Sequence, residues 1–157
     1  MATKRFVPTI YFEVFRNFSG NYVGAVLNGG KEMIKGIGVD NVDVRRIART
    51  LQQYGERFEQ KIFTPEEIVY CRWSPERTAE RYAARFAAKE AFAKAIGTGV
   101  RLGFRWREVS VGKEKTGRPI LYLSGGMAER YGHLRSHISL SHTDDMAIAM
   151  IVLEEEL

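Results

Sequence analysis

The sequence predicts an α+β fold with a mostly antiparallel sheet and a long central helix, and three observations carry this prediction. Helix-period patterns come first after residue 33, and alternating patterns follow from residue 106, an order typical of helices followed by β-hairpins. One segment, at about residues 75–96, is alanine-rich on every side, as expected of a helix surrounded by neighbours. The 157 residues suffice for one core and not for two.

The composition places the chain among globular proteins and excludes several classes. Hydrophobic residues make up 45% and charged residues 27%, with 15 Gly and 4 Pro. No apolar run approaches the roughly 20 residues that a membrane-spanning helix needs. The single cysteine, Cys71, permits neither an internal disulfide nor a thiolate zinc site, which fits a reducing compartment. We therefore expect a cytoplasmic protein.

Residues 1–33 differ in character from the rest of the chain. They are rich in aromatic residues and end near a turn signal, Asn28-Gly29-Gly30, before a second methionine, Met33. They form either an added element that covers the core or an extension of separate origin. We interpret residues 1–33 as an N-terminal extension and residues 34–157 as the functional domain.

The functional domain opens with a strand and a helix. Ile34, Ile37 and Val39 alternate around two glycines, which predicts a short strand with close backbone approach and Asp40 at its end. An amphipathic pattern predicts a helix from about Asp43 to Tyr54, closed by a glycine.

Two further helix starts and two strand pairs follow. Thr64-Pro65-Glu66-Glu67 is a capping box, and Ser74-Pro75 opens the alanine-rich helix, which ends at Gly97-Thr98-Gly99. Strands are predicted at residues 106–111 and 120–123, then at 138–142 and 146–153, with a short helix near 127–131 between the two pairs.

Glu90, Lys94 and Asp40 are the residues whose chemistry needs explaining. Glu90 and Lys94 are four apart on the alanine-rich helix, where the ordinary interpretation is a helix-stabilising ion pair. On a closely packed helix each would need a further partner, such as a metal or a phosphate. Asp40 is either a helix cap or, if it meets Glu90, one of two hard oxygen ligands for Mg²⁺.

Other candidate motifs are weaker. Gly97-Thr98-Gly99 could cradle a phosphate, although the same residues are an ordinary helix stop. The Walker pattern is absent, and Gly36-Ile37-Gly38 lacks the third glycine of the dinucleotide fingerprint. His142 alone is uninformative, because a histidine at a strand end is equally a phosphate contact, a base or an edge residue.

Three motifs together resemble the holo-acyl-carrier-protein synthases, the short bacterial-type group of 4′-phosphopantetheinyl transferases. Their order and spacing match that family from about residue 34 to 153, and the central motif is highly specific. The motifs are Gly36-Ile37-Gly38-Val39-Asp40 with Arg46-Ile47, Arg85-Phe86-Ala87-Ala88-Lys89-Glu90-Ala91-Phe92-Ala93-Lys94-Ala95-Ile96-Gly97-Thr98-Gly99, and Ser139-Leu140-Ser141-His142.

The resemblance implies the fold of that family and transfer of the phosphopantetheine arm of coenzyme A to a serine of apo acyl carrier protein, in fatty acid biosynthesis, releasing adenosine 3′,5′-bisphosphate. By matching position, Asp40 and Glu90 hold Mg²⁺, Glu90 also takes the serine proton, and Lys94 contacts the pyrophosphate and the leaving group. Coenzyme A contacts are implied for a further set: Arg85, Gly97, Thr98, Gly99 and His142.

The resemblance also implies partners. Arg45, Arg46 and Arg49 form a basic side of the first helix, which in the family meets an acidic carrier protein, whereas without that context they are an ordinary solvated face. The resemblance further implies a homotrimer with active sites between subunits. Asn41 departs from the family, which usually has an apolar residue there, and we expect it to perturb the metal loop.

Two other functions remain to be weighed. A phosphate- or nucleic-acid-binding module is favoured by the net charge of +5, but residues 1–32 carry four basic and two acidic side chains, so the remainder has a net charge of only +3. A Mg²⁺-dependent phosphohydrolase would use the same carboxylates. It would release phosphopantetheine without a protein acceptor.

Overall fold

The computed structural model describes residues 33–101 and 103–155, together with the backbone of two strands nearer the N-terminus. The chain divides into two units, Met1–Glu32 and Met33–Leu157. In the first unit, strand β1 (Tyr11–Arg16) pairs antiparallel with β2 (Tyr22–Asn28). The aromatic side chains noted in this segment lie outside the described residues, and its interpretation as an extension stays a prediction.

The second unit has the predicted order, with helices mostly preceding hairpins. Its strands pair antiparallel throughout the described residues, so the α+β prediction is confirmed. In chain order the elements are β3 (Ile34–Asp43), α1 (Val44–Tyr54), α2 (Glu56–Ile62), α3 (Pro65–Arg72), α4 (Thr78–Ala95), β4 (Val109–Lys113), β5 (Pro119–Leu123), α5 (Gly125–Tyr131), β6 (Leu134–His142) and β7 (Met146–Glu155).

The core lies between helix α4 and a three-stranded sheet of order β3-β7-β6. Small side chains on both surfaces allow this approach: Ala147 and Ala149 on β7 and Ala87, Ala88 and Ala91 on α4 are almost fully buried. Alanine favours the helical conformation and presents little bulk, so the backbone of α4 can lie close to the sheet. The long central helix is therefore confirmed.

Several local predictions are confirmed by the capping geometry. Thr64 and Glu67 exchange both hydrogen bonds of a capping box at the start of α3. Gly55 ends α1 at a φ of 49°, a conformation that favours glycine. The described residues contain no helix long and apolar enough to cross a membrane.

Two local predictions were wrong, and one helix, α2, was not predicted. Residues 75–77 form a separate 3₁₀ turn before α4 begins at Thr78. Residues 106–108 form a 3₁₀ turn and not a strand, because Glu108 is used to anchor α5: its carboxylate accepts from the Met127 N–H and its carbonyl from the Ser124 N–H.

Candidate functional site

Two glycines set the distance between β3 and α4. A Cβ atom on Gly38 would lie 1.9 Å from the carbonyl oxygen of Ala91, and one on Gly36 would lie 1.9 Å from that of Ala95. Any side chain at either position would therefore push the strand off the helix. The predicted close backbone approach is confirmed, and it brings Asp40 alongside the C-terminal half of α4.

Asp40 lies within β3, opposite Ala149 of β7, and is 9% exposed. The sequence placed it at the end of its strand, with a helix cap as the alternative, and both placements were wrong. The strand runs on to Asp43, which is the cap: its carboxylate accepts from the Arg46 N–H at 2.9 Å. Asp40 instead accepts a hydrogen bond of 2.8 Å from Lys94 Nζ, which also donates to the Val39 carbonyl.

Glu90 is half-buried in the same pocket as Asp40. Burial raises its pKa, the negative charge of Asp40 raises it further, and the positive charges of Lys94 and Arg46 act in the opposite direction without cancelling the rise. The two carboxylates thus share a space in which more positive charge would be stabilising.

The pocket around these carboxylates has a volume of about 290 Å³. Its lining combines charged and polar side chains with apolar ones. Besides Asp40 and Glu90, the lining residues are Asn41, Val42, Arg46, Ile47, Thr50, Phe58 and Phe86.

The donor set at this pocket fits Mg²⁺ held by few protein ligands. Two carboxylates supply hard oxygen atoms, and Mg²⁺ commonly takes one or two carboxylates, with water and substrate phosphate filling its octahedron. Across residues 33–101 and 103–155, no group of three or more His, Cys, Asp or Glu side chains comes together in a metal-binding arrangement. An ion here would therefore complete its coordination with water and a bound phosphate.

Arg85 and His142 lie in a second pocket, of about 210 Å³. The guanidinium of Arg85 is 4.0 Å from the ring centroid of Tyr70, and the residue is only 4% exposed. Its Nε atom is buried and meets no acceptor among the described residues. His142 donates from Nδ1 to a Glu80 carboxylate oxygen at 2.6 Å.

Sequence reasoning missed four residues of this second pocket: Tyr70, Glu80, Arg81 and Lys113. Burial alone would raise the pKa of Tyr70, but the hydrogen bond and charge of Lys113, with the charges of Arg85 and Arg81, lower it. The i,i+4 spacing of Arg81 and Arg85 on α4 could have revealed one side of the cluster. Nothing local could have revealed Tyr70 or Lys113, since they come from α3 and β4, and nothing in the sequence indicated that Glu80 of α4 would meet His142.

The two pockets lie on different sides of α4 and share no lining residue. Arg85 and Glu90 are five residues apart, which places their side chains about 140° apart around the helix axis. The structure therefore brings Asp40, Glu90 and Lys94 together within one chain. It places Arg85 and His142 together in the other pocket, away from Asp40 and Glu90.

The turn after α4 is a helix stop. The Gly97 N–H donates to the Lys94 carbonyl and the Gly99 N–H to the Ala93 carbonyl, with φ angles of 75° and 59° at the two glycines. Both glycine donors are thus used by the helix itself. The contact of Gly97, Thr98 and Gly99 with a nucleotide stays a prediction.

The three arginines of α1 are all exposed, but they are not equivalent. Arg45 forms an ion pair with Asp145, which directly precedes β7. The Asp145 carbonyl also accepts a hydrogen bond from the Val44 N–H, so two contacts join the start of α1 to the start of β7. Arg46 reaches the carboxylate pocket, and Arg49 lies along the solvent side. Asn41 is exposed and lines the same pocket as Asp40, opposite Ile148 of β7.

Comparison with known proteins identifies the family. The family model of the 4′-phosphopantetheinyl transferase superfamily matches residues 36–151. The holo-[acyl-carrier-protein] synthase of Koribacter versatilis is 48% identical over 126 residues, which cover 78% of this chain and 100% of that protein. The protein of the same name from Methylobacterium radiotolerans is 47% identical over 129 residues, covering 78% of this chain and 94% of that protein.

Solved structures agree with the sequence relatives. The holo-[acyl-carrier-protein] synthase from Neisseria meningitidis superposes with a TM-score of 0.71 at 36% identity, covering 78% of this chain and 100% of that one. The enzyme from Bacillus anthracis, solved in complex with CoA (3′,5′-ADP), gives a TM-score of 0.68 at 34% identity. The match covers 79% of this chain and 99% of that one.

Proposed function

The chain belongs to the 4′-phosphopantetheinyl transferase superfamily, and from this membership we propose that it transfers the phosphopantetheine group of coenzyme A to a serine of apo acyl carrier protein, with Mg²⁺. One observation carries the assignment of the site. Asp40 and Glu90, 50 residues apart in sequence, line one pocket, and Lys94 donates a hydrogen bond to Asp40, so two carboxylates and an ammonium group lie where a diphosphate and its counter-ion could bind.

Asp40 and Glu90 hold Mg²⁺ in this proposal. When bound, the ion neutralises the developing charge on the diphosphate of coenzyme A without any proton transfer. The pKa of Glu90 is raised first by burial and then by the negative charge of Asp40, and a divalent cation between the two carboxylates would offset that second contribution.

The reaction breaks the phosphoanhydride bond of coenzyme A and forms a phosphate ester bond to the serine. The serine oxygen of the carrier attacks the phosphorus next to the pantetheine, and the bond from that phosphorus to the bridging oxygen breaks. The electron pair leaves with adenosine 3′,5′-bisphosphate. Glu90, which lines the pocket that the serine would enter, accepts the serine proton directly or through a water. Lys94, half-exposed beside Asp40, stabilises the departing phosphate.

Arg85 and His142 contact the phosphates of coenzyme A, and the separation of the two pockets supports active sites that lie between subunits. The outer face of the three-stranded sheet supports a homotrimer. Ile37, Val39, Ile148 and Met150 project from that face, and each remains 42–55% exposed in the single chain. An apolar patch of this kind typically marks an interface.

The exposed arginines of α1 meet the acidic carrier protein. Arg46 lies where the basic face reaches the carboxylate pocket, so a carrier docked there would present its serine to Glu90. Arg49→Glu is expected to raise the apparent KM for the carrier at least tenfold while leaving the KM for coenzyme A within twofold, because it reverses one charge of the basic face at a residue that does not line the carboxylate pocket. Equal effects on both constants would contradict this docking surface.

Fatty acid biosynthesis and the cytoplasm complete the proposal. Acyl carrier proteins serve that pathway, and coenzyme A is an intracellular metabolite. The buried, single Cys71, whose pKa is raised to about 12 chiefly by burial, suits a reducing compartment and no disulfide or redox role.

Intact-mass analysis of an apo acyl carrier protein tests the function. Incubation with the protein, coenzyme A and Mg²⁺ is expected to add one phosphopantetheine group to the carrier, and chelation of the metal is expected to prevent it. Release of free phosphopantetheine with no change in carrier mass would identify a phosphohydrolase instead. No change in either species, with several carriers, would overturn the proposed transfer.

A further inference from the structure

Glu80 is a carboxylate in the second pocket, whose lining also includes three cationic side chains. It lies at the start of α4 with its side chain 17% exposed, and it accepts a hydrogen bond of 2.6 Å from His142 Nδ1. The cationic residues around the same pocket are Arg81 and Arg85 on α4 and Lys113 on β4. A negative charge at this position opposes the binding of a phosphate, so its presence requires another explanation.

The contact between Glu80 and His142 supplies one. With Nδ1 committed to Glu80, the ring can no longer rotate freely, and Nε2 is the nitrogen that remains for a ligand. A protonated ring donates from both nitrogens, so Glu80 on one side and a phosphate oxygen on the other would stabilise the same orientation and the same protonation state.

The surroundings of His142 make this contact matter. Arg81, Arg85 and Lys113 all face the pocket and place positive charge near the ring, while the phenol of Tyr70 lies among them. Among the groups that line this pocket, Glu80 is the carboxylate that can hold a protonated imidazole against these cations. The His142 side chain is 45% exposed, so packing against neighbours restrains its ring only weakly.

We propose that Glu80 is a positioning residue for coenzyme A: it strengthens phosphate binding through His142 although its own charge repels the phosphate. This inference rests on the proposed function, in which His142 contacts a coenzyme A phosphate. The two effects of Glu80 have opposite signs, and the direction of the change on substitution therefore decides between them.

Glu80→Ala tests the sign. The variant is expected to raise the Kd for coenzyme A roughly tenfold, the size of one hydrogen bond between charged groups, when binding is measured by calorimetry on the full chain. In transfer assays the KM for coenzyme A is expected to rise by a similar factor, with kcat and the KM for the carrier within twofold. A Kd that falls would show that Glu80 acts only by repulsion and would overturn the proposal.

A second background separates positioning from general damage. In the His142→Ala protein, adding Glu80→Ala is expected to leave the Kd unchanged or to lower it, because only the repulsion is then removed. Equal weakening in both backgrounds would contradict action through His142. Glu80→Gln, which keeps an oxygen that can accept from Nδ1–H, is expected to recover at least half of the lost binding free energy, and no recovery would likewise contradict the orienting role.

The binding assay distinguishes this inference from the proposed function. If the wild-type chain binds coenzyme A but modifies no carrier, the proposed function fails and the Kd comparison still stands. If the wild-type chain modifies the carrier and Glu80→Ala binds coenzyme A as tightly as wild type, the positioning role alone fails. Thermal unfolding of each variant checks that the compared proteins are folded.

Discussion

Helix α4 carries two lysines, five residues apart, that each form an ion pair with a carboxylate. The two ion pairs have similar N···O distances but differ in their exposure to solvent. Lys89 and Glu67 are 2.7 Å apart with side-chain exposures of 0% and 2%. Lys94 and Asp40 are 2.8 Å apart with exposures of 51% and 11%. The buried pair joins α4 to α3, and the exposed pair joins α4 to β3 at the edge of a pocket.

The surroundings of the two ammonium groups explain the difference. Lys89 Nζ also donates to the carbonyls of Ile62, Trp106 and Val109, so its three hydrogens face acceptors inside the protein. Burial lowers its pKa, and the charge of Glu67 opposes that change. Lys94 keeps half of its surface in contact with solvent and can reach a ligand. A fully satisfied buried pair serves the fold, and an exposed pair beside a half-buried carboxylate is available for chemistry.

Lys94→Met should have the largest effect, and that effect should fall mainly on transfer. Loss of one charge-stabilising donor at a reacting phosphate typically costs about 10²–10³-fold in kcat. The change leaves the nearly buried Asp40 carboxylate without its ion partner, so the free energy of unfolding is expected to fall by about 1–2 kcal/mol, less than for a fully buried pair. Transfer kinetics and urea unfolding of the same preparation measure both quantities. A loss of stability as large as that expected for breaking the buried Lys89–Glu67 pair would remove the distinction between the two pairs.

Lys89→Met should produce the opposite result. The change strands the Glu67 carboxylate in the core, and breaking a buried ion pair costs about 3–5 kcal/mol. Urea unfolding is expected to show this loss, while the molecules that remain folded transfer phosphopantetheine at near the wild-type rate. Addition of Glu67→Gln removes the stranded charge and should recover part of the stability. An intact fold without activity would place Lys89 in the chemistry.

The sequence could not distinguish these two lysines. Both lie in the same alanine-rich motif, and the i,i+4 spacing of Glu90 and Lys94 drew attention to a pair within the helix. The partner found for Lys94 is Asp40, 54 positions away, and the partner found for Lys89 is Glu67 on another helix. Contacts at such separations depend on how elements pack, which local spacing does not encode.

Gly38→Ala tests whether the exposed pair depends on the spacing between β3 and α4. The new Cβ would lie 1.9 Å from the Ala91 carbonyl oxygen, so the strand must move and carry Asp40 with it. We expect a loss of about 1–3 kcal/mol in stability and a roughly 10- to 100-fold slower transfer by the folded protein.

Gly132→Ala is the matched control for that substitution. Its Cβ would lie 2.5 Å from the Ala128 carbonyl oxygen, which is also a backbone clash, and Gly132 lines neither of the two pockets described above. The control is expected to leave transfer within twofold of wild type. Equal losses of activity in both variants would show that general destabilisation, and not the position of Asp40, is responsible.

The smallest effect concerns the contribution of Glu90 to the pH dependence of the protein's stability. Its pKa is raised in the folded state, first by burial and then by Asp40, so the folded protein binds this proton more tightly than the unfolded chain does. Stability contributed by Glu90 is therefore present below the unfolded pKa and is lost as pH rises through the folded pKa. Without metal, Glu90→Gln is expected to be slightly more stable than wild type at pH 7.5, with the difference vanishing at acidic pH.

Adding Mg²⁺ to the stability comparison between wild type and Glu90→Gln tests whether Glu90 binds the metal. A ligand that binds only the folded state raises its apparent stability. Addition of Mg²⁺ with coenzyme A is expected to raise the thermal midpoint of the wild-type protein more than that of Glu90→Gln. A stabilisation equal in the two proteins would argue against Glu90 as a metal ligand.

Sequence patterns predicted the local features of the fold well. The capping box at Thr64, the stop at Gly55 and the close approach at Gly38 each follow from the conformational limits of one or a few neighbouring residues. Asp40 was misplaced at the strand end because alternation faded there, although β3 continues to Asp43. Glu80 was missed, since only the folded chain brings it to His142.

The same chemical change on each side of the comparison tests the account most directly. Glu90→Gln and Glu67→Gln each remove one carboxylate charge, the first at the pocket and the second in the core. Carrier modification, followed by intact mass and normalised to the folded fraction, is predicted to fall at least 100-fold in Glu90→Gln and to stay within a few-fold of wild type in the less stable Glu67→Gln. Near-wild-type transfer by Glu90→Gln, or a fully folded and inactive Glu67→Gln, would contradict the account.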